Sequence, residues 1–470
     1  MTRIFLLPLF LAHGQAVVAQ SLKELPDNLR AILENTKPIE TTINGRLPLF
    51  VLPISGSLSS LPDGQAEKVL KDLAKRGIGY SVNWNHGSFE ASLKEGLRIG
   101  KMQQRLGKMV SVHATGCLYS FFDGTEKTQH IDAAGRPFGE TSFGGTMGCP
   151  FALEHRIPVI QQRVEAFLKQ YKTAGVDVNF IFADWEIDGP IEWNDAWASS
   201  KRCRRCRVHV PGIDDFRKFQ AKLRAIRSKL QRIAFGDNVT RYFPEALVGN
   251  YAVNPHNGYR YWYDYFEHET PDAPALLDQR ARYREWNHEF GHCGYTFAMP
   301  VVYTWYPTFG WYDFEPKDYR WFYNMLLVSS NAGQHTSQRT PIIPFVHWHT
   351  TAPPDNPDPS VEQFSKEKYQ ELLWHMLLRG HDTFFLWCTG RELATEIQLV
   401  HEVYRESLQY SGFIDRGVPI EFDVPSKPSP VVSGLRLGNR VLARRTDFGT
   451  KTGNKTLTVD GGGEVSVAAK

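Results

Sequence analysis

The chain has 470 residues, 42% hydrophobic and 22% charged, a balance that excludes a disordered polymer and suits one large α/β domain. A formal net charge of +3 excludes a strongly basic nucleic-acid binder. Aromatic residues reach 13%, with 12 Trp and 19 Tyr; a large core accounts for most of them, and their flat apolar faces also suit sugar rings.

Residues 1–19 read as a secretory signal. Arg3 supplies the positive start, Ile4 to Leu11 the apolar stretch, and Val17-Val18-Ala19 a small-residue cleavage site. That stretch is too short to span a bilayer and no later run is long enough, so a secreted or periplasmic protein with no membrane partner is expected. Short β-rich runs then alternate with amphipathic ones. Strands are predicted at 47–54, 77–84, 108–115, 176–185, 246–251, 295–303, 341–349 and 382–388. Helices are predicted at 65–75, 89–106, 157–174, 214–232, 276–290, 316–331, 361–379 and 393–409. This strict alternation predicts an α/β protein, a (β/α)₈ TIM barrel over residues 20–412. No Gly-rich dinucleotide fingerprint follows the first strand, which sets aside a doubly wound sheet. Residues 413–470 hold a Pro-rich linker and β-type runs at 430–437, 440–445, 455–459 and 464–467, read as a small C-terminal β module. The long connections 116–156, 187–213 and 252–275 all follow strands, which puts them at the end of the barrel where active sites are built.

The fourth strand runs Phe180-Ile181-Phe182-Ala183-Asp184-Trp185-Glu186. Side chains alternate along a strand, so Phe180, Phe182, Asp184 and Glu186 share one face. Two apolar residues suit the barrel interior, and two acids follow at its mouth, where their Cα atoms lie about 6–7 Å apart. Each disfavours ionisation of the other, so one of the two is expected to stay protonated nearer neutrality, as a general acid requires.

Asp184-Trp185-Glu186 at the end of strand four resembles the Asp-x-Glu motif of chitinases, and the tripeptide itself is similar to the hyaluronidase active site. The resemblance implies a glycoside hydrolase in which Glu186 protonates the leaving oxygen. Asp184 then orients the substrate's acetamido group, which acts as internal nucleophile. Tyr303, closing strand six, and Trp387, closing strand eight, are similar to the Tyr that contacts the acetamido group and the Trp that floors the sugar subsite. Phe180 and Phe182 stand where the fuller chitinase signature has aspartates, and Ile187-Asp188-Gly189-Pro190 follows Glu186 in place of the hyaluronidase run.

The other strand ends offer further groups for sugar hydroxyls: Asn83 and Trp84, His113, Asn250 and Tyr251, and either His347 with His349 or Trp348, since the two sets face opposite ways. Strand seven ends without a carboxylate, which favours a mechanism needing one protein acid/base and a substrate nucleophile. A conventional second carboxylate remains open at Asp188, Glu192, Asp313 or Glu392, with Glu392 nearest a strand end. Five cations lie in the run 201–207, and Arg204 and Arg205 are candidates for an anionic polysaccharide or oligosaccharide. No cofactor is expected. Nor is a metal: His113, His347 and His349 lack the His-x-His that closes strand one in barrel amidohydrolases, and Cys203-x-x-Cys206 lacks two more ligands nearby. Disulfides among the six cysteines are expected instead. Two other readings stay open, a polysaccharide lyase using Tyr and His and a non-catalytic carbohydrate-binding barrel.

Overall fold

The predicted alternation is present in a computed structural model describing residues 24–39, 45–119, 127–142, 145–186, 194–256, 289–351, 359–448, 453–459 and 463–468. The barrel strands are β1 (Phe50–Val51), β2 (Ser81–Asn85), β3 (Ser111–Gly116), β4 (Phe180–Ala183), β5 (Leu247–Asn250), β6 (Val301–Trp305), β7 (Phe345–Thr351) and β8 (Phe385–Leu386). They form two parallel sheets, β2-β3-β4-β5 and β6-β7-β8-β1. At one seam Leu49 bridges Ile78 in parallel, with Leu49 N–H donating to the Gly77 carbonyl and Gly79 N–H to Leu49, both at 2.9 Å. At the other, Thr296 N–H donates to the Val248 carbonyl at 2.9 Å, and Val248 N–H to Thr296 Oγ1 at 2.8 Å. The strands thus follow one another around a ring in chain order, which is the order of a (β/α)₈ barrel. The ladder is not continuous across either seam.

Helices Asp63–Ala74, Phe89–Arg105, Arg156–Thr173, Phe216–Gln231, Asp318–His335, Lys366–Leu377 and Leu393–Ser407 lie after β1, β2, β3, β4, β6, β7 and β8. The predicted helix at 276–290 falls almost wholly outside the described residues, as does the expected signal at 1–19. The strands are shorter than predicted. Their apolar runs continue past the ladder because a strand buried on both faces stays hydrophobic where pairing stops. All four residues of β4 are buried. No helix among the described residues is long and apolar enough to cross a membrane.

Phenylalanines fill the lumen. Phe50 stacks on Phe180 at 4.0 Å between centroids, Phe180 on Phe297 at 5.1 Å, and Phe182 meets Phe385 edge-on at 4.5 Å and Phe345 at 5.9 Å. Gly249 makes the room, since a Cβ there would sit 2.6 Å from the Phe297 ring. The interior is therefore a packed column, and whatever the mouth binds rests on an aromatic floor.

Beyond the barrel, β9 (Val418–Pro419), β10 (Val431–Leu437) and β11 (Arg440–Thr446) form an antiparallel sheet, and β12 (Lys455–Val459) pairs with β13 (Gly463–Val467). The expected boundary at residue 412 falls inside a short helix, Ser411–Arg416. The sheet is tied to the barrel by polar side chains. Arg444 forks onto Glu371 through two bonds of 2.8 Å, and His375 sits between Ser433 and Thr446 at 2.7 and 2.9 Å. Arg379, fully buried, donates to Ser330, Ser433 and the carbonyls of Phe422, Asp423 and Val432. Burial lowers its guanidinium to about 10, still far above neutrality, so it stays charged. Removing it strands several buried acceptors at once. Arg379→Ala is expected to lower the unfolding free energy by about 3 kcal/mol or more, read from urea denaturation, because each unpaired buried group costs about 1–3 kcal/mol.

Candidate active site

The ladder of β4 ends where Tyr251 N–H donates to the Ala183 carbonyl at 2.9 Å. Beyond that point side chains from the two neighbouring strands hold the backbone. Asp184 N–H donates to Thr115 Oγ1 at 2.7 Å. Trp185 N–H donates to Asn250 Oδ1, and Asn250 Nδ2 returns a bond to the Trp185 carbonyl, each at 3.0 Å. The Tyr119 hydroxyl donates to the Asp184 carbonyl at 3.1 Å and accepts from Glu186 N–H at 3.4 Å. The Trp185 side chain is 1% exposed, packed into the core behind the strand. Alternation then sends Asp184 and Glu186 to the opposite face, as the sequence predicts.

The two acids differ sharply in solvation. Glu186 is exposed, while Asp184 Oδ1 is buried with no hydrogen-bond partner among the described residues. Burial pushes the Asp184 carboxyl up to about 6. Desolvation, rather than the mutual repulsion expected from the spacing, is what raises Asp184. Next to the pair, the hydroxyls of Tyr251 and Tyr303 meet at 2.7 Å. Burial, then the charges of Tyr303 and Glu186, push Tyr251 well above the usual tyrosine range, so it remains a neutral phenol. Tyr303 stacks on Trp387 at 5.8 Å, and His347 stands edge-on to Trp387 at 4.7 Å. His113 stacks on Phe182 at 5.3 Å, with Nδ1 3.2 Å from Asn83 Oδ1 and Nε2 2.6 Å from Thr115 Oγ1. Burial lowers His113 to about 4, so its ring is neutral near pH 7 and takes one donor and one acceptor role.

Across the mouth, His347 Nδ1 and His349 Nδ1 lie 2.8 and 2.7 Å from one oxygen of Glu396, which is fully buried. Burial raises the Glu396 carboxyl, but hydrogen bonds from His347 and His349 outweigh it and leave it below the usual range. Glu392 accepts from Thr389 Oγ1 at 3.0 Å, and its carboxylate, that of Glu396 and the His347 ring have atoms within 4.8 Å of one another.

Three predicted sugar ligands face the wrong way. Trp84 stacks on Phe167 at 4.9 Å, in the layer between sheet and helices. Trp348 is likewise outward, its Nε1–H bonded to the Phe364 carbonyl at 2.8 Å, which leaves His347 and His349 as the inward set. Asn250 is fully buried and spent on Trp185 and on Gln231 Oε1, which it meets at 3.3 Å. Gln231 in turn takes the Tyr295 hydroxyl at 3.0 Å and reaches Glu289, itself paired with Arg227 at 3.0 Å. Arg204 is exposed and Arg205 Nη1 donates to the Gln129 carbonyl at 3.4 Å; among the described residues neither contacts the acid pair. Asp313 is exposed, and Asp188 and Glu192 lie outside the described residues. Disulfides are absent, all six cysteines being free thiols.

Thr115, Tyr119, Gln231 and Glu396 were not singled out from sequence. Glu396 carried a signal: it interrupts the apolar stripe Leu393, Ile397, Val400, and an acid on a buried helix face needs a partner. Tyr119 carried none, lying in a connection without periodicity. A cavity of about 360 Å³ opens at the opposite end of the barrel, between Arg46, Tyr80, Gln103 and Met109. No carboxylate lines it, so it offers no acid pair.

Fold and site together define a (β/α)₈ barrel with paired carboxylates at the C-terminal end of its fourth strand. No protein-family model matches the sequence, and no curated protein does. Among solved structures the chain is similar to bee venom hyaluronidase, at 15% identity over 69% of this chain and 96% of that one, with a TM-score of 0.36. The same enzyme in complex with a hyaluronic acid tetramer matches at 16% identity over 62% and 83%, TM-score 0.35. An α-amylase from Lactobacillus plantarum matches at 11% identity over 93% and 98%, TM-score 0.40. The fold assignment rests on the chain's own strand order.

Asp184 gives a stability test. Its folded pKa of about 6 lies above the unfolded 3.8, so the native state binds the extra proton between them. Stability falls as pH rises through that window, and the cost is complete above it. Asp184→Asn is therefore expected to melt several degrees higher than the parent at pH 7.5, with the gap closing at pH 4, by calorimetry at both pH values.

Proposed function

We propose that the protein is a secreted glycoside hydrolase cleaving a polysaccharide, with Glu186 as general acid/base and Asp184 as the stabilising carboxylate. The observation that carries the reading is the position of the pair: two carboxyls just beyond β4 at the barrel mouth, Glu186 exposed and Asp184 with one buried oxygen that has no partner among the described residues. Glu186, exposed beyond the strand, would give its proton to a glycosidic oxygen arriving from solvent. Asp184 has an oxygen left for a substrate N–H, the role an orienting residue plays when an acetamido oxygen attacks the anomeric carbon. In that scheme the sugar is an N-acetylhexosamine, the C–O bond breaks as Glu186 gives its proton, and Glu186 takes a proton back from the water that reopens the ring. The stacked Tyr303–Trp387 pair offers a flat apolar surface for a sugar, and the Tyr303 hydroxyl is held by that of Tyr251.

Glu186→Gln is expected to lower kcat by about 10²–10⁴-fold on the best substrate of a polysaccharide panel, with an unchanged melting temperature. A variant keeping a tenth of the activity removes Glu186 from the role. A thiazoline mimic of the cyclised intermediate should inhibit, and Asp184→Asn should weaken it. Labelling of Glu392 by a fluorosugar would show a protein nucleophile instead.

The cations at 201–207 support an anionic chain as substrate. Replacing Arg204 and Arg205 with Ser should raise KM for an acidic polysaccharide and flatten its salt dependence, while leaving neutral substrates untouched.

A further inference from the structure

Three of the six cysteines expected to form disulfides gather around one histidine. Cys149 Sγ lies 4.0 Å from Cys203 Sγ and 3.5 Å from Cys206 Sγ, and Cys206 Sγ lies 3.7 Å from His130 Nδ1. All four side chains are buried, and their ligand atoms fall within 4.8 Å of one another. A disulfide needs sulfurs at about 2.05 Å, and three thiols around one imidazole can form only one, leaving the third thiol and the ring stranded. A tetrahedral zinc with Zn–S of about 2.3 Å and Zn–N of about 2.0–2.1 Å sets sulfurs about 3.8 Å apart and nitrogen about 3.6 Å from sulfur. The observed spacings bracket those edges.

We propose that His130, Cys149, Cys203 and Cys206 form a structural zinc site joining the connection after β3 to the connection after β4. The donor set is closed: one imidazole and three sulfurs complete a tetrahedron and leave no position for water or substrate. Its surroundings are those of a built site. Ile131 N–H points at Cys203 Sγ at 3.5 Å, and the His130 ring lies flat on Phe138 at 5.3 Å. Cys149 N–H donates to the Thr128 carbonyl at 2.7 Å, drawing the two limbs of the connection together. Cys203 immediately precedes the short helix Arg204–His209, and that first turn brings Cys206 round beside it. Three thiolates on one zinc leave a net single negative charge, and two cations of the run 201–207 reach the residues beside it. Arg202 lies over Phe138 at 4.7 Å, and Arg205 reaches the carbonyl of Gln129, next to His130. The basic run thus has a use whether or not the substrate is anionic.

The zinc also has a place in the mouth's construction. One joined connection carries Tyr119, which braces Asp184 and Glu186; the other continues from Glu186 itself. The full chain, expressed in medium containing zinc, is expected to hold one zinc per molecule by elemental analysis. Exchange into cobalt(II) should produce thiolate-to-cobalt charge-transfer absorption and the intense visible bands of a tetrahedral ion. Cys149→Ser should lower metal content at least tenfold, His130→Cys should keep it, and Cys388→Ser should not change it. If Cys149→Ser does not fold, the cobalt spectrum of the parent chain decides. Zinc below a tenth of an equivalent with no cobalt bands, iron in its place, or a disulfide joining Cys149 to Cys203 or Cys206 in the intact protein would overturn the site.

Discussion

The Asn250 carboxamide bonds both backbone groups of Trp185, and which way the acids face depends on that clamp. Regular pairing stops one residue before Asp184, so nothing in the sheet itself dictates how the chain continues. Three side chains take over: Thr115 and Tyr119 from one neighbouring strand and its connection, Asn250 from the other. Asn250 can serve because its own amide is anchored to Gln231, and Gln231 belongs to a buried chain of polar groups ending at Glu289 and Arg227. Each link lies behind the sheet, where water does not compete, and an amide bonded on both sides has little freedom to rotate. The geometry of the mouth is thus set from the outer layer of the barrel inward.

The division of labour between the acids follows from the same arrangement. Asp184 follows Phe182 by two residues, at the top of the aromatic column where His113 stacks, and burial there raises its carboxyl. Glu186 lies one step further out and stays exposed. A distance of two residues along one strand is enough to place two like groups in media of different polarity, and that difference separates their chemistry more than their mutual repulsion does.

How much of this was legible in the sequence depends on range. The barrel was, because apolar runs and amphipathic helices alternate within windows of a dozen residues. The placement of Asp184 and Glu186 just beyond the fourth strand was, because they continue a strand whose inward positions are aromatic. The inward choice of His347 and His349 over Trp348 was not, since either parity fits the residues and only the partner on another helix, Glu396, decides it. Asn250 looked like a ligand because it is polar at a strand end; its true partner is a backbone 65 residues away. The cysteine cluster failed for the same reason. Cys203 and Cys206 are neighbours in sequence, but the remaining donors come from another connection, 54 residues back in the case of Cys149.

Trp185 has a consequence for how such a mouth can change over evolutionary time. Its ring is the buried tooth of a two-step ratchet: odd positions belong to the outer core, even ones to the lumen. Insertion or deletion of a single residue between Phe180 and Trp185 would swing an indole into the cleft and thrust a carboxylate into hydrocarbon. Lineages descending from this chain can therefore lengthen or shorten this stretch only in pairs. The acids are inherited with their spacing or lost together.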